Sequence, residues 1–188
     1  MKLILIALIL SIVLCGCSGE QPASTVDQNT SLPKGDPGFP TLGKYWVIDK
    51  TCSLSQESVV KADAICQRLQ DDGIAEVVVV VINGVKHPQD WSTHYGRWLK
   101  LGKKGRSTRG GNNGIVWLIR PDADEKLYIS VGRGLPRFTS TDYTRVMGKA
   151  ADYINFGNLD RGVEVLVQET DREIRAKYGK RGNNNEQQ

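Results

Sequence analysis

The chain has 188 residues, with 25 Lys and Arg against 21 Asp and Glu, and a net charge of +4 at pH 7. This length allows one domain with a real core beside flanking segments, and no internal repeat is evident. A zinc site is excluded because the four cysteines and two histidines form no cluster with ligand spacing. A Gly-x-Ser-x-Gly nucleophile motif is absent from the sequence.

The N-terminus predicts export. An apolar run over residues 3–14 follows a single lysine and ends at a Cys-Gly-Cys sequence. A membrane-spanning helix needs about 20 apolar residues, so this run is too short to cross a bilayer and is typical of a signal-peptide core. A short transmembrane stub is the alternative.

Residues 14–17 resemble the lipobox of bacterial lipoproteins, with Cys17 as the residue that would be acylated. The resemblance implies a signal peptide over residues 1–16 and a mature protein anchored in a membrane of the cell envelope by its lipid. Ser18 after the cysteine implies the outer membrane, facing the periplasm. This location favours an envelope protein as partner and argues against nucleic acid.

The chain then divides into three segments. Residues 17–40 are polar and contain four prolines, which predicts a lipidated cysteine followed by a flexible tether. Residues 41–178 form the predicted domain. Residues 179–188 include three consecutive asparagines and are predicted to be a disordered tail.

Strand and helix patterns alternate through the first half of the domain. Residues 44–48 read as a short strand, and Ser55 is a plausible N-cap for the helix that follows. Spacings of three and four place one apolar stripe on this helix, which stops at an Asp-Asp-Gly sequence; the stripe is Val59, Ala62, Cys66 and Leu69. Residues 76–82 contain five valines in a row, which predicts a central strand buried on both faces.

The second half continues the alternation. A second helix is predicted over residues 89–101, with Trp91, Tyr95 and Trp98 on one side. Residues 114–120 and 126–131 are predicted strands joined by a turn short enough for a hairpin. Two closing helices are predicted over residues 141–156 and 160–178. The order of these elements indicates a layered α/β architecture.

Two cysteines, Cys52 and Cys66, remain after processing. An oxidising compartment favours a disulfide between them. A helix that begins at Ser55 places Cys66 about 16 Å along its axis, whereas a disulfide joins Cα atoms roughly 6 Å apart. We therefore expect two separate thiols, with Cys66 buried on the apolar stripe.

Acidic and amide side chains occur where predicted strands give way to loops. Asp49 follows the first strand, Asn112 and Asn113 precede the third, and Asp142 begins a helix. Oxygen ligands at strand ends suit a hard cation such as calcium. The alternative is local: Asp142 would complement a helix dipole, and the asparagines would form a turn.

A basic stretch is the remaining feature. Six cations fall within residues 97–109, which contain no acid: Arg97, Lys100, Lys103, Lys104, Arg106 and Arg109. The last four, Lys103, Lys104, Arg106 and Arg109, lie in a glycine-rich loop and are the candidate anion-binding residues. Such a loop could bind phosphate, an anionic lipid headgroup or an acidic partner. A solvated loop is the alternative.

The order of several short motifs resembles that of the TPM-domain family. These motifs are Val47-Ile48-Asp49, Asn112-Asn113-Gly114, Val131-Gly132-Arg133-Gly134-Leu135, Thr141-Asp142 and the Phe-Gly-Asn-Leu-Asp-Arg-Gly sequence at residues 156–162. The family includes a thylakoid-lumen phosphatase linked to photosystem repair, a nematode receptor modulator and many membrane-anchored bacterial proteins. The resemblance implies a single three-layer α/β/α sandwich with a mixed sheet.

The resemblance also implies a divalent metal, because calcium is reported for some members. Three departures weaken that implication: Asn112 and Pro136 stand where the family pattern commonly has acids, and Glu125 where it commonly has Arg. Calcium affinity depends on the number of charged ligands, so a poor or altered metal site is expected.

Two function classes follow. The first is a tethered accessory or interaction module, and the second is a divalent-metal-dependent phosphatase. The loss of acidic positions, and the lack of a pattern that suggests a nucleophile and its base, favour the first.

Overall fold

The computed structural model describes residues 38–102 and 111–179. Along these ranges the elements follow in chain order as β1 (Val47–Asp49), α1 (Gln56–Asp71), β2 (Glu76–Val81), α2 (Pro88–Trp98), β3 (Gly114–Ile119), β4 (Leu127–Val131), α3 (Ser140–Asn155) and α4 (Leu159–Tyr178). The predicted elements are confirmed in type and order, with shifts of up to three residues at their ends. Residues 1–37 and 180–188 lie outside the described ranges, and with them the predicted Cys17 and most of both flanking segments.

The four strands form one mixed sheet in the order β1-β2-β3-β4. β1, β2 and β3 run parallel, whereas β4 returns antiparallel to β3 as the predicted hairpin. We call the end where β1, β2 and β3 finish the carboxyl edge of the sheet. The amino edge is the opposite end, where β2 and β3 begin and β4 finishes.

Helices cover both faces of this sheet. Trp117 of β3 donates its indole N–H to Thr170 of α4 at 3.1 Å, while the neighbouring Val116 packs beside Gly96 of α2. Because successive strand side chains point to opposite faces, α2 and α4 lie on opposite sides of the sheet. α4 also packs against α1 and α3, so the three-layer α/β/α sandwich is confirmed.

The two central strands, β2 and β3, form the centre of the hydrophobic core. Every residue of β2 and β3 is buried, as the continuous β-branched run predicts. α1 adds its stripe of Val59, Ala62, Cys66 and Leu69, all buried. Ser55 caps this helix by accepting the Ser58 N–H at 3.2 Å, which confirms the predicted helix start.

The packed region begins before the predicted boundary at residue 41. Phe39 is 8% exposed, and its ring makes edge contacts with Trp91, Tyr95 and Trp98 of α2. Tyr95 donates its hydroxyl to the Pro40 carbonyl at 2.7 Å. The last residues of the predicted tether are therefore part of the domain and hold α2 in place.

α2 ends earlier than residue 101. Leu99 is its C-cap, and Lys100 has a left-handed backbone with φ of 56°. The Leu101 N–H then bonds the Gly96 carbonyl at 3.0 Å, which closes the helix end as a C-terminal capping turn does. Leu99 and Leu101 belong to this turn. Their apolar character is the reason that the sequence predicted a helix as far as residue 101.

Both cysteines in the described ranges are free thiols. Cys66 is buried and Cys52 is exposed, in agreement with the expected separation. Among the described residues, no helix combines the length and apolar character needed to cross a membrane.

Candidate functional site

The four predicted metal ligands do not come together in the structure. Asp49 ends β1 at the carboxyl edge, whereas Asn112 and Asn113 precede β3 at the amino edge. Asp49 aligns through Val81 with Ile119, so about five strand residues, or roughly 17 Å, separate it from Gly114. A site that includes all four predicted ligands is therefore not formed.

Asp49 is used by its own loop. One carboxylate oxygen accepts the Thr51 N–H at 2.8 Å and the Thr51 hydroxyl at 2.7 Å, and the other accepts the Leu54 N–H at 2.8 Å. Partial burial alone would raise the pKa of Asp49, but these hydrogen bonds outweigh it and the pKa is lowered. Asp49 is thus ionised, and its hydrogen bonds hold the loop that leads into α1.

Asp142 is held by two cations and a helix cap. It accepts the Thr139 N–H and hydroxyl, both at 2.8 Å, and pairs with Lys177 at 2.8 Å and Arg145 at 3.1 Å. Desolvation opposes ionisation, but Lys177 and Thr139 outweigh it and lower the pKa of Asp142 to about 2. With its oxygens committed in this way, Asp142 does not fit a metal centre.

The asparagines have different surroundings. Asn113 is buried and donates its side-chain amide to the Ile74 carbonyl at 3.0 Å; its amide oxygen has no hydrogen-bond partner within the described part of the chain. Asn112 is exposed, with a left-handed backbone at φ of 56°, a conformation that Asn tolerates better than most residues. Across residues 38–102 and 111–179, no three Asp, Glu, His or Cys side chains are grouped to hold a metal.

Close backbone packing builds the amino edge. The Gly132 N–H bonds the Gly114 carbonyl at 2.8 Å, and the Gly134 N–H bonds the Asn112 carbonyl at 2.6 Å. A Cβ at Gly132 would lie 2.2 Å from the Asn112 carbonyl oxygen, and one at Gly134 would lie 2.3 Å from the Gly111 carbonyl oxygen. The Gly-Arg-Gly motif therefore holds the segment after β4 against the segment before β3 by close backbone contacts. We call these contacts of Gly132 and Gly134 the glycine clamp.

A buried acid supports the same edge from inside. Glu76, at the start of β2, is 2% exposed and accepts the Gly102 N–H at 2.9 Å. Sequence reasoning assigned Glu76 only to the valine-rich strand. Its carboxylate fixes the point where the chain enters residues 103–110.

A cavity of about 180 Å³ opens at the amino edge, between α2 and the β3–β4 hairpin. Its walls carry two arginines, several small polar groups and an aliphatic surface, from Thr93, Gly96, Arg97, Leu101, Asn112, Gly114, Val116, Ser130, Val131, Gly132 and Arg133. None of these lining residues is acidic. The cavity is therefore suited to a ligand with negative charge.

Sequence reasoning found only part of this site. Asn112 lines the cavity, but it was predicted as a metal ligand. Arg97 was visible only as the first cation of the basic stretch, and Arg133 only within its glycine motif. The predicted anion-binding residues Lys103, Lys104, Arg106 and Arg109 lie outside the described residues.

Comparisons with known proteins agree with this architecture. The N-terminal domain of a protein from P. gingivalis is 17% identical with a TM-score of 0.62, over 71% of this chain and 84% of that one. The N-terminal domain of a Corynebacterium glutamicum protein is 14% identical with a TM-score of 0.55, over 80% of this chain and 92% of that one. At these identities the likeness concerns the fold alone. Comparison with curated proteins gives no match.

The family model described as the TPM domain matches residues 47–181. This range includes every strand and helix of the sandwich, the capped loop after Asp49 and the glycine clamp. The matched range covers well over half of the chain, and it includes the motif at Asp49 on the carboxyl edge and the glycine motif at residues 131–135 on the amino edge. The chain therefore belongs to the TPM domain family.

Proposed function

We propose that this protein is a membrane-tethered lipoprotein of the bacterial envelope whose TPM domain acts as an accessory or interaction module. The lipobox-like residues 14–17 support the tether, with Cys17 acylated and the domain in the periplasm at the outer membrane. The domain binds through its amino edge.

One observation carries the choice of a binding role. The acids predicted for metal chemistry are engaged by the protein itself: Asp142 by Lys177 and Arg145, and Asp49 by its own loop. Metal-assisted hydrolysis requires an ion held by converging ligands, and nucleophilic catalysis requires an activated nucleophile. The cavity instead has a polar rim and an aliphatic wall, as binding sites commonly have.

Calcium binding is correspondingly weak in this proposal. We expect a dissociation constant on the order of 10⁻⁴ to 10⁻³ M, the range of weak extracellular sites. Asn112→Asp adds a charge at an exposed position on the cavity and should tighten calcium binding. Calorimetry on both proteins measures the difference.

The tether is tested by fatty-acid labelling. Wild-type protein should incorporate labelled fatty acid and fractionate with the outer membrane, and Cys17→Ala should lose the label and either leave the membrane or remain as precursor. Equal labelling of the two proteins would contradict the tether.

The binding role is tested by assaying hydrolysis of a phosphate ester with and without calcium. We expect no turnover above background. Calcium-dependent hydrolysis that Asp49→Ala abolishes would replace the proposal with the alternative, a divalent-metal-dependent phosphatase.

A further inference from the structure

We propose that the amino-edge cavity binds a carboxylate attached to a short aliphatic group, with Arg97 and Arg133 as the cations that receive it. The group is either a free small acid or the C-terminal residue of a polypeptide. This inference deepens the proposed interaction role and rests on it.

The charge of the walls selects a carboxylate over a neutral or cationic group. Arg97 is half-buried on α2, and Arg133 is exposed on the turn after β4. The two arginines thus approach the cavity from two different elements, and none of the described lining residues carries negative charge. A guanidinium presents paired N–H donors that match the two oxygens of a carboxylate.

The aliphatic wall selects what the carboxylate is attached to. Leu101, Val116 and Val131 line the cavity on the side of the sheet and of the turn after α2. A volume of about 180 Å³ is close to that of an apolar cavity that accepts a benzene molecule, roughly six carbon atoms. Inorganic phosphate would leave this wall in contact with water, whereas a branched four- or five-carbon acid would cover it.

The absence of a side chain at Gly96 keeps the cavity open. A Cβ at Gly96 would approach the Val116 Cγ2 atom to 3.1 Å, so glycine there keeps α2 near the sheet without filling the cavity. On the opposite wall, the clamp at Gly132 and Gly134 fixes the backbone on both sides of Arg133. Arg133 is thus presented from a fixed turn, and less backbone freedom is lost when a ligand binds.

The experiment measures binding to the full-length protein in detergent micelles by calorimetry. The probes are isovalerate, its neutral analogue isovaleramide, inorganic phosphate, and an acetylated Ala-Ala-Val peptide with either a free or an amidated C-terminus. We expect isovalerate to bind with a dissociation constant on the order of 10⁻³ M. The acids should bind at least tenfold more tightly than their amides, because a charged hydrogen-bond partner is lost in the amide.

Matched variants assign the effect to the cavity. Arg97→Gln and Arg133→Gln should each weaken isovalerate binding about tenfold or more. Arg172→Gln is the control, because Arg172 is an exposed cation of α4 that pairs with Glu173; it should bind like the wild type. Gly96→Ala narrows the cavity and should weaken isovalerate more than acetate.

The peptide arm separates the two sources. Binding of the free-acid peptide identifies a polypeptide C-terminus, and binding of isovalerate without the peptide identifies a free small acid. Equal affinity for acid and amide, phosphate binding as tight as isovalerate, no binding of any probe, or arginine variants that behave like Arg172→Gln would overturn the inference. The tether and hydrolysis assays have separate readouts, so failure here would remove the ligand assigned to the amino edge but leave the membrane-tethered, non-hydrolytic role standing.

Discussion

The two edges of the sheet use polar residues in opposite ways. At the carboxyl edge, Asp49 turns its oxygens inward to Thr51 and Leu54 and is consumed by the loop that starts α1. At the amino edge, backbone contacts between glycine segments form the framework, and the side chains of Arg97 and Arg133 line a cavity. A polar side chain at a strand end is therefore not by itself a sign of a metal site, because Asp49 serves its own loop.

The largest effect is expected where the glycine clamp is broken. Gly132→Ala places a Cβ at 2.2 Å from the Asn112 carbonyl oxygen, which accepts the Gly134 N–H, so one of the two backbone segments must shift. We expect a loss of about 4 kcal/mol in the free energy of unfolding, measured by urea denaturation, because the clash is with backbone rather than with a flexible side chain.

Gly148→Ala is the matched control for that change. Gly148 lies in α3, and a Cβ there meets nothing within 4 Å, so alanine should raise stability by up to about 1 kcal/mol. Two alanine variants of equal stability would show that the clamp is not rigid.

The next largest effect is expected at Phe39, which precedes the range of residues 47–181 matched by the family model. Phe39→Ala removes a buried ring from the aromatic face of α2 and should cost about 3 kcal/mol. Because α2 carries Arg97 to the amino edge, the same variant should weaken isovalerate binding, whereas Val60→Ala, at an exposed position on α1, should change neither. Unchanged stability would show that the domain begins at residue 41, as the sequence predicted.

The dependence of stability on acidic pH tests whether the ionised form of Asp142 stabilises the fold. The pKa of Asp142 falls from 3.8 to about 2 on folding, so its ionised form stabilises the fold above pH 3.8 by about 2 kcal/mol. This contribution is lost as the pH falls from 3.8 toward 2, where the folded protein also binds the proton. Asp142→Asn should therefore be less stable than the wild type at pH 7, with a difference that shrinks over that window.

Denaturation curves of Asp142→Asn and wild type at pH 7 and pH 2.5 measure this change. A difference in stability that is the same at both pH values would show that the Lys177 and Thr139 contacts do not act on the ionised carboxylate.

The sequence predicted the core well because local signals agreed with the fold. Five consecutive valines can be buried only between two layers, and Ser55 caps the helix whose stripe follows it. The site was harder to predict, since Arg97 and Arg133 line the same cavity only because the hairpin packs on α2. One clue was present: Asp49 follows its strand and Asn112 precedes its strand, which in a parallel sheet places them at opposite edges.

The smallest expected effect is a difference in reactivity between the thiols of Cys52 and Cys66. Cys52 is exposed in the loop held by Asp49, whereas Cys66 is buried on the inner face of α1, where burial raises the pKa of its thiol. Iodoacetamide should modify Cys52 in the folded protein and Cys66 only after denaturation, as read by mass spectrometry. A mass two protons lower in non-reduced protein would instead reveal a disulfide.

The central claim is that the amino edge, and not the carboxyl edge, receives the ligand. Amide chemical shifts of ¹⁵N-labelled protein, titrated with isovalerate, test it residue by residue. The account predicts saturable shifts at Gly96, Arg97, Gly132 and Arg133, with none from Asp49 to Leu54. Shifts confined to the loop after Asp49, with the amino edge unchanged, would contradict it.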